Sequence, residues 1–370
     1  MPKALIVLLS PGWLGAARLP RALHRAGWQV ASLCSPGNLL AHSRFAGTVT
    51  VAASGDTLWA DLLGVVQAEK PDVLIPGCEG AVRFFQLVVA SALGQVLSAQ
   101  AAAVLALVRA AVGTGHHHHA TLSKTAIHAL CLEWGLPVPR QLPVRTAHDA
   151  ITAAANLGYP LVLKGEHGFA GQQVRICRDP LELLWAYQDL HRAHPGGHID
   201  AQQYVHGTVA MCAGAAKGGS LLDSVFALKR HTHPGATGPC SVFEFADDAR
   251  PAAMLATFVR QLGFTGLCSV DLMVEEGTGN LFVLELNPRP VPLSSLGHLA
   301  GHDLCEALAR AFGGEHAGAN AEQSDRPPFV ALFPNEWTRD PDSPWLHAAH
   351  HDVPWDDPPL LSAIIASRVL

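Results

Sequence analysis

The sequence lacks any cluster of basic residues and has few charged residues of either sign. Charged residues make up 15% of its 370 residues, and the formal net charge at pH 7 is −6. A nucleic-acid-binding surface needs a basic patch, so we expect no nucleic-acid partner. Hydrophobic residues make up 49% of the chain. This excludes a disordered protein and predicts a compact one of about two or three domains.

Cys-x-x-Cys pairs are also absent. The eight cysteines are scattered, and most lie inside apolar segments, as Cys268 does in GLCSVDL. This spacing excludes a disulfide framework and a structural zinc site. It predicts buried thiols in a reduced, cytoplasmic protein.

No hydrophobic run has the features of a membrane span. The N-terminal run ALIVLL is shorter than the apolar core of a signal peptide and stops at Ser-Pro-Gly, which predicts a buried first strand. Residues 84–108 carry no charge, but Gly94 and several serine and glutamine residues interrupt them. We therefore expect two packed helices and no membrane partner. The apolar helices at 80–112 offer a face for a homodimer.

The first part of the chain alternates between strand and helix patterns. Strands are predicted at residues 3–9, 28–34 and 72–77, with helices between them, which indicates an α/β domain over residues 1–112. Glu79 follows the third strand, where it either contacts a substrate or caps the next helix. The first loop, SPGWLGAA, has no G-x-G-x-x-G motif, so a Rossmann-type oxidoreductase is only weakly supported.

Four consecutive histidines at 116–119 follow this domain. Adjacent residues in a linker do not converge on one ion, so we expect a plain connection rather than a metal site. From residue 158 the pattern becomes α+β, and the tail from 315 is rich in proline, aspartate and tryptophan. The tail has the composition of a surface appendage packed by aromatic residues.

The segment LFVLELNPRP is a buried strand that ends in a carboxylate, an amide and a guanidinium. Strand alternation places four of its side chains on one face, namely Leu281, Val283, Glu285 and Asn287. The turn EEGTGN joins this strand to an earlier one. A hairpin centred on that turn sets Asp271 opposite Glu285, with Cβ atoms about 5 Å apart.

Two buried carboxylates at this distance repel each other, and a divalent cation removes the conflict. Oxygen ligands from Asp271, Glu285 and Asn287 suit Mg²⁺, or Mn²⁺ in its place, and such an ion usually also holds nucleotide phosphates. The alternative is a surface hairpin with solvated acids. The flanking apolar residues argue against it, because buried charges are paired or bind metals.

A lysine ends another buried strand, in YPLVLKGEHGFAGQQV. Lys164 is followed by Gly165, Gly168 and Gly171, whose backbone amides can approach phosphate oxygens that the lysine neutralises. An ordinary hairpin with a lysine that extends to solvent explains this segment equally well, because glycine-rich loops are common.

Taken in order, YPLVLK with its glycine loop, AQQYVHG, VDLMV and LELNPR resemble the ATP-grasp superfamily over roughly residues 121–312. The nearest group is that of carbamoyl-phosphate-synthetase-like enzymes and carboxylate–amine ligases. The resemblance implies an α/β, Rossmann-like pre-ATP-grasp domain (1–112) and an α+β ATP-grasp fold. In that fold a small lid subdomain (113–202) and a central metal-binding subdomain (203–314) clasp the nucleotide. A C-terminal appendage (315–370) follows.

The resemblance also implies an activity, that of an ATP-dependent ligase. ATP, bound together with Mg²⁺, would phosphorylate a carboxylate to an acyl phosphate and leave as ADP. An amine would then displace the phosphate and form an amide. Both substrates would be small molecules. The implied nucleotide contacts are Lys124, Lys164, Gly168, Gly171, Gln202, Gln203, Tyr204 and Val205. The implied metal ligands are Asp271, Glu285 and Asn287.

For catalysis, the resemblance implies that Arg289 faces the transferred phosphoryl group. Lys229 or Arg230 would assist it, and the sequence does not choose between them. The hinge AQQYVHG departs from the family pattern, because it has glutamines where a glutamate is usual and no carboxylate for the ribose. The alternative function is therefore an ATP-grasp-fold nucleotide-binding protein without ligase turnover.

Overall fold

The computed structural model describes residues 1–53, 55–115, 117, 120–166, 171–315 and 328–367. The first sheet in this part of the chain is parallel. Its strands are β1 (Lys3–Leu8), β2 (Gln29–Cys34), β3 (Thr48–Val51) and β4 (Val73–Pro76), in the order β3-β2-β1-β4. β1 is almost wholly buried, as expected for a strand covered on both faces. The carboxyl ends of β1 and β4 lie at one sheet edge, so the loops that follow them are neighbours.

Four helices accompany this sheet, namely α1 (Leu19–Arg25), α2 (Leu58–Glu69), α3 (Glu79–Ser91) and α4 (Ala99–Val112). The uncharged stretch forms two helices, α3 and α4, that pack against each other, as predicted. Among the described residues, no helix combines the length and the apolar character that crossing a membrane requires.

The second sheet is small and antiparallel, with strands β5 (Gln141–Val144), β6 (Leu161–Gly165), β7 (Val174–Cys177) and β8 (Ile199–Gln203) in the order β5-β8-β6-β7. The helix α5 (Lys124–Glu133) precedes it. The helices α6 (Ala147–Leu157) and α7 (Pro180–Ala193) bury their apolar faces against it. Lys164 therefore lies in a central strand of this sheet, next to β8.

The third sheet has seven strands and is the largest in the described residues. Its strands are β9 (Gly207–Lys217), β10 (Ser220–Thr232), β11 (Cys240–Phe245), β12 (Gly266–Glu275), β13 (Leu281–Asn287), β14 (Phe329–Ala331) and β15 (His350–His351). Their order is β13-β12-β9-β10-β11-β14-β15, and every pair is antiparallel except β14–β15.

The two faces of this sheet bury different partners. In β9, Cys212 packs with the helix α8 (Arg250–Leu262), whereas Met211 and Ala213 join the core that contains the first sheet. The short helices α9 (Pro292–Leu296) and α10 (Leu304–Ala311) contribute to that same core. The large sheet therefore connects the parallel domain on one face with α8 on the other.

The C-terminal part is built into the fold rather than attached to its surface. β14 extends the large sheet, and it is followed by α11 (Asn335–Arg339), α12 (Trp345–Ala348) and α13 (Pro358–Ala366). Leu360 and Ile364 of α13 pack with Leu39 of the first domain. The sequence analysis did not foresee this placement.

Candidate active site

The β12–β13 hairpin brings the two predicted carboxylates together. Asp271 pairs directly with Glu285, which confirms the register predicted from the turn, and Ser269 pairs with Asn287. Asp271, Glu285 and Asn287 all line one cavity of about 530 Å³. The cavity lies between the second sheet, the large sheet and the first domain.

A β-bulge corrects one expectation about this strand. The register changes between the pairs Asp271–Glu285 and Leu272–Val283, so Leu284 is an extra residue. Val283 therefore packs in the apolar core, while Leu284 and Glu285 both line the cavity. The expectation that Leu281 and Val283 share a face with Glu285 and Asn287 is wrong, because the extra residue reverses the alternation.

The carboxylates stand in a strongly charged environment. Burial raises the pKa of Glu285 and repulsion from Asp271 adds to this, whereas Lys124, Arg289 and Lys164 oppose the rise. No hydrogen bond reaches the Glu285 carboxylate from the described residues. A cation held against Glu285 would therefore relieve a cost that the fold itself leaves in place.

The donor set fits a hard divalent cation. Two carboxylates face each other across the hairpin, and the amide of Asn287 lies two residues from Glu285 on the same cavity wall. Mg²⁺ prefers oxygen ligands of this kind. Among the described residues, no group of three or more His, Cys, Asp or Glu suited to a metal is found, so the amide is needed to complete the set.

Two lysines line the cavity from the side of the second sheet. Lys124 begins α5, whose N-cap Ser123 accepts a hydrogen bond from the backbone N–H of Ala126. Lys164 lies in β6. Burial and the nearby charge of Lys124 lower the pKa of Lys164 to about 8, while Glu285 opposes this shift. Two half-buried ammonium groups that line one cavity favour an anionic ligand there.

The structure distinguishes Lys229 from Arg230. The Lys229 Nζ donates to Asp271 Oδ2 at 2.6 Å, and Lys229 lines the cavity. Burial alone would lower the pKa of Lys229, but Asp271 outweighs it and raises the pKa. Arg230 points to the opposite face of β10, where it pairs with Glu244 outside the cavity. Strand alternation explains the difference.

Arg289 is held by two residues of the first domain. Its guanidinium forms an ion pair with Glu79 at the start of α3 and lies 4.7 Å from the centre of the Trp13 ring. Arg289 is 5% exposed and lines the cavity. Glu79 lies in the first turn of α3, as expected for a charge that favours the helix N-terminus, and its carboxylate also forms the ion pair with Arg289.

The predicted hinge lines the opposite end of the cavity through Gln202, Gln203, Tyr204 and Val205. The side chain of Gln202 donates to Gln141 Oε1 at 3.0 Å. Apolar side chains surround this end, among them Val162, Ile176, Met211, Met273 and Leu284. The acidic residues that line the described cavity are Asp271, Glu285 and Asp352, so none belongs to the hinge.

Gly171, at the end of the glycine-rich segment, meets a second loop at the cavity. Gly171 has φ +72°, and a Cβ there would lie 1.9 Å from the carbonyl oxygen of Thr237, so no side chain fits. Both residues line the cavity.

Gly168 lies outside the described residues, as do three of the four consecutive histidines. His231 contacts Trp345, with ring centres 6.1 Å apart.

Sequence reasoning missed the other end of the cavity. The loop after β1 and the segment after β14 line it, with Trp13, Arg18, Phe333 and Asp352 among the residues. The rule that ligands bind at strand carboxyl ends was applied to Glu79 and not to the loop after β1. Nothing in the local pattern links Arg18 to Asp352.

Comparisons with known proteins agree on the fold. No family model matches the chain. A carbamoyl phosphate synthase large chain of Deinococcus radiodurans is 28% identical over 211 residues, which are 53% of this chain and 20% of the relative. A D-alanine–D-alanine ligase of Pseudomonas putida is 24% identical over 188 residues, 48% of this chain and 56% of the relative. The chain thus spans about a fifth to about half of these relatives.

Solved structures are similar over most of the chain. The N5-carboxyaminoimidazole synthetase of Staphylococcus aureus, solved with ADP, has a TM-score of 0.59 and 15% identity, covering 84% of this chain and 78% of the other. The biotin carboxylase domain of Hydrogenobacter thermophilus 2-oxoglutarate carboxylase, solved with MgADP, has a TM-score of 0.59 and 16% identity, covering 84% and 70%. All four relatives are ATP-grasp proteins. The chain has the fold of these ATP-grasp proteins.

The resemblance to ATP-grasp proteins that the ordered motifs predicted is therefore confirmed. The cavity contains all three expected metal ligands, both expected phosphate lysines and the expected hinge. It also contains Lys229 and Arg289, and it excludes Arg230.

Proposed function

We propose that the protein is an ATP-dependent, ADP-forming ligase that joins a carboxylate to an amine. The observation that carries the proposal is the convergence of opposite charges in one cavity. Asp271 and Glu285 face each other there, and Lys124, Lys164, Lys229 and Arg289 surround them. A metal-bound nucleotide triphosphate satisfies both signs of charge at once.

The nucleotide fits between the second and third sheets. The lid subdomain (113–202) and the central subdomain (203–314) would clasp it, with the hinge against adenine. Lys124 and Lys164 would neutralise the phosphates. The lowered pKa of Lys164, about 8, supports this role, because bound phosphate restores the full ammonium charge.

Asp271, Glu285 and Asn287 would hold Mg²⁺, or Mn²⁺ in its place, and the ion would neutralise negative charge that develops on the phosphates. The ion pair between Lys229 and Asp271 must then loosen, which frees the ammonium group of Lys229 for the γ-phosphate. Arg289 would stabilise the transferred phosphoryl group from the side of the first domain.

The reaction needs no side-chain nucleophile. A carboxylate oxygen of the substrate attacks the γ-phosphorus, the bond from that phosphorus to the β,γ-bridging oxygen breaks, and ADP leaves with both electrons. The amine then attacks the acyl carbon, loses a proton and expels inorganic phosphate. Positioning and charge neutralisation account for the catalysis. The contact of Gly171 with Thr237 supports a covered site that keeps water from the acyl phosphate.

The alternative function is nucleotide binding without turnover. It is favoured by one observation, the absence of an acidic side chain from the hinge end of the described cavity. Measuring ADP release with hydroxylamine as a general amine, together with a mixture of carboxylic acids, separates the two. Acid-dependent ADP and hydroxamate support the ligase. Binding of Mg-ATP without either product supports the alternative.

Two broader properties belong to the same proposal. A cytoplasmic location is supported by the eight cysteines, all of which are free and buried. A homodimer is supported by apolar side chains exposed on and after α3, namely Leu87, Leu93 and Val96. Sedimentation at several protein concentrations tests the dimer.

A further inference from the structure

The end of the cavity away from the hinge has walls that are mostly apolar. They come from the loop after β1, the segment after β13 and the segment after β14. Six apolar residues line this end, namely Trp13, Leu14, Val291, Pro292, Leu332 and Phe333. In the proposed function the nucleotide occupies the hinge end, so this end is left for the substrate that receives the phosphoryl group.

A charged pair set into these apolar walls, Arg18 with Asp352, holds Phe333 in place. In the described residues, Arg18 Nη2 donates to the carbonyl oxygen of Phe333 at 2.8 Å, and Asp352 Oδ1 accepts from its backbone N–H at 2.6 Å. Arg18 Nη1 and Asp352 Oδ2 are 2.7 Å apart. The charges thus neutralise each other, and both groups fix the Phe333 backbone from its two sides.

Arg289 supplies a donor that this end retains, and the buried Nε of Arg18 is another. Glu79 and the Trp13 ring fix its guanidinium, and Nη1 donates to the carbonyl oxygen of Pro290 at 3.2 Å. Its Nε is buried and has no hydrogen-bond partner in the described part of the chain. A buried donor without a partner is costly. The guanidinium lines the cavity, where a substrate carboxylate would add charge-assisted hydrogen bonds to it.

We propose that this end selects a carboxylate carried on an apolar, uncharged group, and that Phe333 is the residue that determines this specificity. The inference rests on the proposed function for the identity of the site. The carboxylate lies toward Arg289, and the apolar group lies between Trp13 and Phe333. A second charge on the substrate would lose its water against these walls, where the charges of Arg18 and Asp352 already neutralise each other.

The test uses two matched pairs of acids that differ in the charge of the distal group. They are 4-methylpentanoate against glutarate, and L-leucine against L-glutamate, with bicarbonate as a fifth probe. Binding is measured by thermal unfolding of the full chain with saturating Mg-ADP, and turnover by hydroxamate formation from Mg-ATP and hydroxylamine. We expect 4-methylpentanoate and L-leucine to bind at least about tenfold more tightly than their charged partners.

The variants Phe333→Ala and Phe333→Leu test the residue itself. Phe333→Ala should weaken 4-methylpentanoate binding about tenfold, and Phe333→Leu should weaken it less. Phe333→Leu should also be the more stable of the two variants, because it leaves a smaller cavity. Mg-ADP binding should not change in either. The matched control is Phe329→Ala, because Phe329 packs on Trp345, with ring centres 4.4 Å apart, and does not line the cavity.

The outcomes separate this inference from the proposed function. Binding of the apolar acids without any hydroxamate supports the specificity and overturns the ligase. Hydroxamate from glutarate, L-glutamate or bicarbonate, with no preference for the apolar acids, supports the ligase and overturns the specificity. An unchanged preference in both Phe333 variants also overturns it, as does the absence of binding by all five acids.

Discussion

Glu285 and Glu336 both lie in regions of low solvent exposure. They differ in the hydrogen-bond donors that surround the carboxylate. Glu336 is fully buried and accepts hydrogen bonds from Ser241 at 2.8 Å and from Arg339 Nε at 2.7 Å, and also from Ser343. Glu285 faces the cavity, and none of the described residues donates a hydrogen bond to it. One carboxylate is satisfied by the fold, and the other is left for a ligand.

The pKa values follow the same division. Burial would raise the pKa of Glu336, but hydrogen bonds from Arg339, Ser343 and Ser241 outweigh it and lower the pKa. At Glu285 burial prevails and raises the pKa. A satisfied buried carboxylate adds to stability, whereas an unsatisfied one reduces it and persists where function needs it.

The largest expected effect comes from substituting Glu285, the carboxylate that faces the cavity. Glu285→Gln should lower acid-dependent ADP release about a thousandfold, because it removes a metal ligand and the charge opposite Asp271. Release is measured with Mg-ATP and hydroxylamine. Glu276→Gln, an exposed acid in the turn of the same hairpin, should stay near the wild-type rate. A loss of less than about tenfold in Glu285→Gln would contradict the assignment.

The second effect comes from substituting Glu336, the carboxylate that the fold itself satisfies. Glu336→Gln should lower the free energy of unfolding by about 3 kcal/mol, because it leaves the partly buried Arg339 with only the more distant Asp340, at 3.7 Å, as a counter-charge. Urea denaturation measures the change. Activity per folded molecule should stay close to wild type. Equal losses of activity in Glu336→Gln and Glu285→Gln would remove the distinction between the two sites.

The third effect is the pH dependence that Glu336 confers. Its pKa is lower in the folded than in the unfolded state, where it is 4.5. Its contribution is therefore present above pH 4.5 and is lost as the pH falls through the folded pKa. The stability difference between wild type and Glu336→Gln should shrink over that acidic range in urea titrations. A difference that grows toward acid would refute the prediction.

The smallest expected effect is on the stability of the protein when Glu285 is substituted in the absence of a metal ion. Without divalent cations, Glu285→Gln should raise the free energy of unfolding at pH 7 by about 1 kcal/mol, because a charge with a raised pKa costs stability there. Urea denaturation with a chelator measures it. A loss of stability of that size would mean that the carboxylate is already satisfied by the fold.

Local pattern predicted part of the site. The pairing of Asp271 with Glu285 depends on alternation and on one glycine-rich turn, and both are visible in a short segment. The bulge at Leu284 was not predicted, because it depends on which side chains the core accepts. It matters to the site, since without it Val283 and Glu285 would face the same way.

Contacts between residues far apart in the sequence could not be predicted from it. The partners Glu79 and Arg289 are 210 positions apart, and Ser241 and Glu336 are 95 apart. β14 is only three residues long, too short for a visible alternation, yet it joins the large sheet. Contacts of this kind are set by how the units pack, and a single sequence carries no local pattern for them.

The most direct test of the account is thermal unfolding with millimolar Mg-ATP. The account predicts that Mg-ATP raises the Tm of the wild type and of Glu276→Gln by mass action, and that Glu285→Gln loses most of the rise. NAD should raise none of them. No rise in the wild type, or an equal rise in Glu285→Gln, would contradict the claim that Glu285 belongs to a metal–nucleotide site.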